Sequence, residues 1–418
     1  MYDASVSLKE MLHEARRAGR AIAKATPGAR DRGLEAVAQA IDAALPEIMA
    51  ANAEDLAAAS DLSPALRDRL KLDDKRGRAL AEAVRAVRSQ PDPLAGEVAL
   101  PDGPSGIHIA RRRVPLGVIA IVFEARPNVT AECAALTLKS GNAVVLRGGK
   151  EARRSNAAIA RAIRSGLRAA SLPEAAVTLI EDPARETVVD LLGASGLVDL
   201  VIPRGGPGLM ALVDAHARVP VIRHGQGICH VFVDRSADLA MAVEIADNAK
   251  THRPGVCNAL ETLLIDRPRA KELLAVLGPV LLAKGVELRA DPEALALLPP
   301  GARPAVEGDW DTEFLALVLA IRVVNGLDAA LEHIEAHGTH HTAAIVATDP
   351  GVARRFLEEV DASCVLWNAS TRLNDGGELG LGAEMGISTS KLHAYGPMSA
   401  RELTAEKLVV RGTGQVRR

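Results

Sequence analysis

Cys257 lies in the stretch KTHRPGVCNALETLLI, in a turn opened by Pro254-Gly255 and followed by Asn258 and an apolar run. A cysteine at a turn edge can be an ordinary small hydrophobe. A thiol in a turn among basic and polar residues can also be a nucleophile, because neighbouring cations favour the thiolate. Arg253 and His252 are the nearby candidates for that task. Four further clusters could serve such a nucleophile. The segment VDLVIPRGGPGLMALVDAHA reads as a strand, then the turn Gly205-Gly206-Pro207-Gly208, then a helix. Glycines let the backbone approach a diphosphate closely, and the helix start supplies unpaired N–H groups. The segment lacks GxGxxG, so it is not the usual dinucleotide fingerprint, and it also reads as a plain glycine-rich turn. NAVVLRGGKEARRSN places Arg147, Lys150, Arg153 and Arg154 at the carboxyl end of a strand, where open α/β sheets bind ligands. Cations there suit a ribose 2′-phosphate, so NADP is expected over NAD; the bland alternative is a solvated basic turn. Asn128, in FEARPNVTAE, either caps a helix or offers its amide to an oxyanion. Finally, NASTRLNDGGELGLGAEMGIS gathers Asn368, Ser370, Thr371, Arg372 and Asn374, enough polar groups to hold an amino-acid head group. His340 and His341 are adjacent, not at helical metal-ligand spacing, and read as a loop; no metal is expected.

These groups need a scaffold to bring them together. The chain has 418 residues, long enough for two or three domains. Hydrophobic residues make up 48% but aromatics only 2%, so the cores must be built from Ala, Leu, Val and Ile. Net charge is -3 with both signs interspersed, which argues against a nucleic-acid or anionic-membrane partner. Cys133, Cys229, Cys257 and Cys364 lie far apart without CxxC spacing, which fits a reducing cytoplasm better than a disulfide framework. No uncharged apolar run is long enough to span a bilayer. Ser5 to about Arg88 carries helical periodicity rich in Ala. After it, LGVIAIVF, AVVLR, AVTLI, VDLVIP and VPVI alternate with helical stretches, as in a parallel sheet covered on both faces. CHVFVD, NALETLLID, ALVLAIRVV, TAAIVATD and ASCVLWNAS form a second such run. GIHIARRRV and the terminal KLVVRG read as exposed strands able to pair across subunits.

The order of these motifs resembles the aldehyde dehydrogenase superfamily. The resemblance rests on GNAVVLR, the strand-GGxG-helix segment, RPGVCNALET, and NASTR…DGGELGLGAE…STSKLHAYGPM, and extends over nearly the whole chain. It implies an α/β fold with a Rossmann-type cofactor domain (1–97 and 116–225), an α/β catalytic domain (226–400) and a small β oligomerisation element (98–115 and 401–418). It implies that Cys257 is the nucleophile, with Asn128 and the Cys257 N–H as oxyanion donors. It assigns Gly205, Gly206 and Gly208 to the cofactor diphosphate, Arg147 and Lys150 to the adenosine ribose, and Glu313 to the nicotinamide ribose. The blocks match the branch that reduces L-glutamyl 5-phosphate to L-glutamate 5-semialdehyde with NADPH through a cysteine thioester, the second step of proline biosynthesis. Hydrolytic relatives use a glutamate to activate water. The corresponding stretch here, VPVIRHGQGICHVFVD, offers Arg223 and His224 but no carboxylate, which suits a phosphate leaving group better. Arg126, Arg223 and Arg372, with Ser370 and Thr371, are the expected substrate contacts. The expected partners are a second copy of the chain, as dimer or tetramer, and the kinase that makes the acyl phosphate, glutamate 5-kinase. The competing readings are a hydrolytic or coenzyme A-acylating aldehyde dehydrogenase and a catalytically silent nucleotide-binding scaffold.

Overall fold

The structure is a computed structural model that describes residues 7–223 and 225–417. His224 therefore lies outside the described residues. The Ala-rich start folds into α1 (Leu8–Lys24), α2 (Pro27–Ala43), α3 (Leu45–Ala58), α4 (Pro64–Leu70) and α5 (Asp74–Ser89). Local chemistry fixes their starts. Ser7 caps α1 in a reciprocal pair with Glu10, and Thr26, Ser63 and Asp73 accept backbone N–H bonds at the starts of α2, α4 and α5.

Two parallel sheets follow. Strands β1 (Val98–Ala99) and β2 (His108–Pro115) come first but stand apart from both. The first parallel sheet has the order β5-β4-β3-β6, with β3 at Val118–Phe123, β4 at Ala143–Arg147, β5 at Val177–Leu179 and β6 at Leu200–Arg204. Helices α6 (Asn128–Lys139), α7 (Arg153–Ala169) and α8 (Arg185–Gly193) connect these strands, and α9 (Pro207–His216) follows the last. All six residues of β3 are buried, as its unbroken apolar run predicts. Each such side chain contributes about 1.5–3 kcal/mol on leaving water. Val219–Ile222 does not form the expected strand. Its pairing is one isolated bridge, Val201 to Val221, because Pro220 has no N–H with which to extend a ladder.

The second sheet has seven parallel strands in the order β10-β9-β11-β8-β7-β12-β13. They are β7 (Cys229–Val233), β8 (Leu260–Asp266), β9 (Glu287–Ala290), β10 (Arg303–Pro304), β11 (Val318–Val324), β12 (Thr342–Val346) and β13 (Cys364–Trp367). Their connections carry α10 (Leu239–Thr251), α11 (Arg267–Ala283), α12 (Pro292–Leu297), α13 (Gly326–His337) and α14 (Pro350–Glu359). A short antiparallel pair, β14 (Ile387–Ser388) and β15 (Gly396–Pro397), precedes β16 (Thr404–Arg411). β16 pairs with β2, giving the three-stranded antiparallel sheet β1-β2-β16. The expected division at residue 400 differs from the packing: Ala383, Met385, Ala394, Met398 and Ala400 join the core of the first sheet. Among the described residues, no helix is long and apolar enough to cross a membrane.

Lys250 and Glu261 form an ion pair at 2.7 Å with both side chains fully buried. Burial pushes the Glu261 carboxyl up to about 7 and pulls the Lys250 ammonium down, each opposed by the partner's charge. Lys250 also donates to the Leu260 carbonyl at 2.8 Å, and Glu261 accepts the Leu315 N–H at 3.3 Å. The pair thus ties α10 to the loop that carries Glu313. Lys250→Met leaves a buried carboxylate without its cation and should cost about 3–5 kcal/mol. The double variant Lys250→Met/Glu261→Leu should recover most of that loss in urea unfolding, whereas additive losses would contradict the pairing.

Candidate active site

Cys257 sits half-buried in the turn between α10 and β8. That turn is fastened from several parts of the chain. Arg69 of α4 donates to the Gly255 carbonyl, and Arg253 pairs with Asp68 at 3.4 Å. Asn52 of α3 holds the end of α4 by donating to the Leu70 carbonyl at 2.9 Å and accepting the Leu72 N–H at 2.8 Å. On the other side, the buried Cys229 thiol donates to the Cys257 carbonyl at 3.1 Å. Asn258 donates to the Asn374 carbonyl at 2.8 Å, and Asn374 donates to Thr342 Oγ1 at 2.8 Å. Gly227 lies flat against the nucleophile: a Cβ there would fall 1.8 Å from the Cys257 carbonyl oxygen. Only glycine permits that approach of two backbones.

Charged groups surround the thiol. Arg126 feels the Cys257 charge, and burial, then repulsion from Arg204 and Arg69, pulls its guanidinium down to about 10, still protonated at neutral pH. Burial likewise lowers Arg372, while Asp375 and Cys257 oppose it. Arg372 also donates to His252 Nδ1 at 3.4 Å. Cys229 does not compete as a thiolate, because burial and the neighbouring Cys257 hold its pKa well above the usual thiol value. Ala125, between β3 and Arg126, has φ +25°, a strained conformation for a residue with a Cβ.

A model of the aldehyde dehydrogenase family matches residues 3–286. The chain belongs to that family. It is 50% identical over 413 residues to the gamma-glutamyl phosphate reductase of Xylella fastidiosa (strain M23), covering 98% of this chain and 97% of that protein. It is also 50% identical to the enzyme of that name from Symbiobacterium thermophilum, covering 99% of this chain and all of the other. The crystal structure of gamma-glutamyl phosphate reductase from Thermotoga maritima superposes with TM-score 0.94 at 42% identity, over 99% of this chain and 100% of that one. An acetylating aldehyde dehydrogenase from Geobacillus thermoglucosidasius shares the fold, with TM-score 0.72 at 18% identity over 98% and 97% of the two chains. The expected fold class, the aldehyde dehydrogenase-like α/β architecture, is therefore the observed one.

Aldehyde dehydrogenases use nicotinamide cofactors, and the first sheet fits one. Gly206 N–H, at the start of α9, donates to the Glu124 carboxylate at 3.1 Å. That bond marks the turn as a position that accepts an anion. At the ends of β4 and β5, Gly148, Gly149, Lys150, Arg153 and Asn156 line a small cleft. The Asn156 amide nitrogen is buried there with no hydrogen-bond partner, and a Cβ on Gly148 would fall 2.2 Å from it. Such a donor fits a ribose or phosphate oxygen. Arg147 is differently committed: it donates to the Pro183 carbonyl at 2.7 Å and the Ala184 carbonyl at 3.2 Å. Lys150 and Arg153, both exposed, are the cations that line the cleft.

The other expected site residues divide. Glu313 accepts the Gly227 N–H at 2.9 Å, which brings it beside the nucleophile turn. Asn128 opens α6 without capping it; its amide donates to Glu132 at 2.9 Å, one turn on. Ser370 caps the short turn at Thr371–Leu373 through the Arg372 N–H at 3.3 Å, and the Thr371 hydroxyl is buried without a partner. Arg223 is exposed and pairs with Asp214 at 2.8 Å. Gly227, Cys229, Asn258 and Glu384 were not singled out for this site from the sequence; their neighbours come from elsewhere in the chain. Gly227→Ala should lower kcat by about a hundredfold or more through displacement of the nucleophile. Circular dichroism and cofactor binding should stay intact; unchanged kcat would show that the turn tolerates the shift.

Proposed function

We propose that this chain reduces L-glutamyl 5-phosphate to L-glutamate 5-semialdehyde and phosphate with NADPH, through a thioester on Cys257, as the second step of proline biosynthesis from glutamate. The observation that carries the reading is the full-length likeness to gamma-glutamyl phosphate reductases, at 50% identity, joined to a half-buried cysteine faced by the arginines such an anionic substrate needs. In this reading the Cys257 thiolate attacks the acyl carbon. The Cys257 N–H and the Asn128 amide, once released from Glu132, donate hydrogen bonds to the developing oxyanion. Arg126 and Arg372 hold the phosphate or the substrate carboxylate, with Ser370 and Thr371 beside them. A bound NADPH supplies hydride to the thioester carbonyl, and the thiolate is then released with the aldehyde.

Gly205, Gly206 and Gly208 would hold the diphosphate, Lys150 the 2′-phosphate and Glu313 the nicotinamide ribose. The residues 1–97 and 116–225 would form the cofactor unit and most of 226–400 the catalytic one. β16 has an unpaired edge and exposes Leu408 and Val410, which supports a homo-oligomer built through 98–115 and 401–418. Delivery of the acyl phosphate by glutamate 5-kinase and a cytoplasmic setting complete the reading.

The reverse assay tests it. With glutamate semialdehyde and NADP, cofactor reduction should require phosphate, and Cys257→Ala should lower the rate by roughly 10³-fold or more. Turnover of the wild type without phosphate would exclude the reading in favour of a hydrolytic enzyme. Lys150→Glu should raise KM for NADP roughly tenfold to a hundredfold, the equivalent of one charge-assisted hydrogen bond, while leaving KM for NAD nearly unchanged. Equal effects on both cofactors would remove Lys150 from the 2′-phosphate.

A further inference from the structure

We propose that Glu384 is the proton donor to the departing phosphate, protonating the bridging oxygen as it leaves the acyl carbon on Cys257. The inference rests on the acyl-phosphate reading above. Glu384 lies in the loop GLGAE, far along the chain from the nucleophile, and two independent tethers bring it there. On one side, Glu384 accepts the Gly376 N–H at 2.9 Å. Gly376 follows Asn374, whose carbonyl accepts from Asn258, the residue after Cys257. On the other side, Gly386 packs against Arg204, with its added Cβ 3.5 Å from Arg204 Nε. Arg204 ends β6 and opens the glycine turn. Glu384 is therefore held between the nucleophile turn and the cofactor turn.

The groups that act on it are consistent with an acid. Burial is the largest, and the Cys257 charge adds to it; Asp375 acts in the same sense. Arg204 and the Gly376 N–H oppose them, and the carboxyl rests up at about 7. A thiolate nearby thus favours the protonated form of Glu384 while the nucleophile is charged. Glu313 has a different task, since its carboxylate accepts the Gly227 N–H. Glu124 is spent on the glycine turn.

The step balances. The Cys257 sulfur forms a bond to the acyl carbon, and the carbon–oxygen bond to phosphate breaks. The electron pair stays on the bridging oxygen, which takes the Glu384 proton, so hydrogen phosphate leaves instead of the trianion. Glu384 is left as a carboxylate and regains a proton from solvent before the next turnover. That proton is the one consumed overall when an acyl phosphate is reduced by NADPH to aldehyde and hydrogen phosphate. In reverse, the Glu384 carboxylate takes the proton from hydrogen phosphate as its oxygen attacks the thioester.

The test separates proton transfer from positioning by using two acylating routes to the same sulfur. One is the phosphate-dependent oxidation of glutamate semialdehyde with NADP. The other is the burst of p-nitrophenolate from p-nitrophenyl acetate, whose leaving group departs as a stable anion and needs no acid. Glu384→Gln should lower the phosphate-dependent rate by about 10²-fold or more, the usual share of general acid–base catalysis. The ester burst should stay within about threefold of wild type, against a Cys257→Ala control that loses both. If Gln at this position unfolds the chain, Glu384→Asp is judged by the same two rates, with the phosphate-dependent one falling at least about tenfold more than the burst. A phosphate-dependent rate within threefold of wild type, or a burst that falls in parallel, overturns the assignment. A wild type that turns over without phosphate overturns the reading beneath it instead, so the two failures are distinguishable.

Discussion

The contact between Gly227 and the Cys257 carbonyl oxygen is the constraint on which the rest depends. Two backbones meet there at a distance that admits no side chain. The nucleophile is therefore positioned by main chain against main chain, with little freedom to drift. Everything around it enforces that meeting: Arg69 and Asp68 from the helical start, Cys229 from β7, and Asn374 through Asn258. The tethers come from distant parts of the sequence, the helical start on one side and the second sheet on the other. A loop so held keeps the reacting sulfur within the tight tolerance that covalent catalysis demands.

Charge is arranged on the same frame. Arg126 and Arg372 are desolvated beside the thiol, which makes their fields stronger than those of surface arginines. The desolvation cost is borne by packing elsewhere, in cores assembled almost wholly from aliphatic residues. The fully buried Lys250–Glu261 pair belongs to the same scheme. It spends no charge on solvent and fixes the approach to Leu315, whose φ of +51° bends the segment after Glu313.

Much of this was legible in the sequence. The apolar runs at Val118–Phe123, Ala143–Arg147 and Leu200–Arg204 gave their strands because a parallel strand covered on both faces has no polar face to disguise it. β9 is not legible because Glu287 and Arg289 interrupt its apolar pattern, and those charges pair with each other. Val219–Ile222 was over-read because an apolar tetrapeptide does not announce the missing N–H of its proline. Cys257 and the glycine turn stood out by residue type and local spacing. Gly227 and Glu384 did not, since their meaning is a contact made across the fold and no local pattern records it. Arg147, at the expected strand end, commits its Nη2 to the Pro183 and Ala184 carbonyls, a pairing that no local pattern records.

The bond from Gly206 N–H to Glu124 has a consequence for how the molecule loads its coenzyme. An internal carboxylate occupies the start of α9. A diphosphate taking that place would exchange one anion for another there.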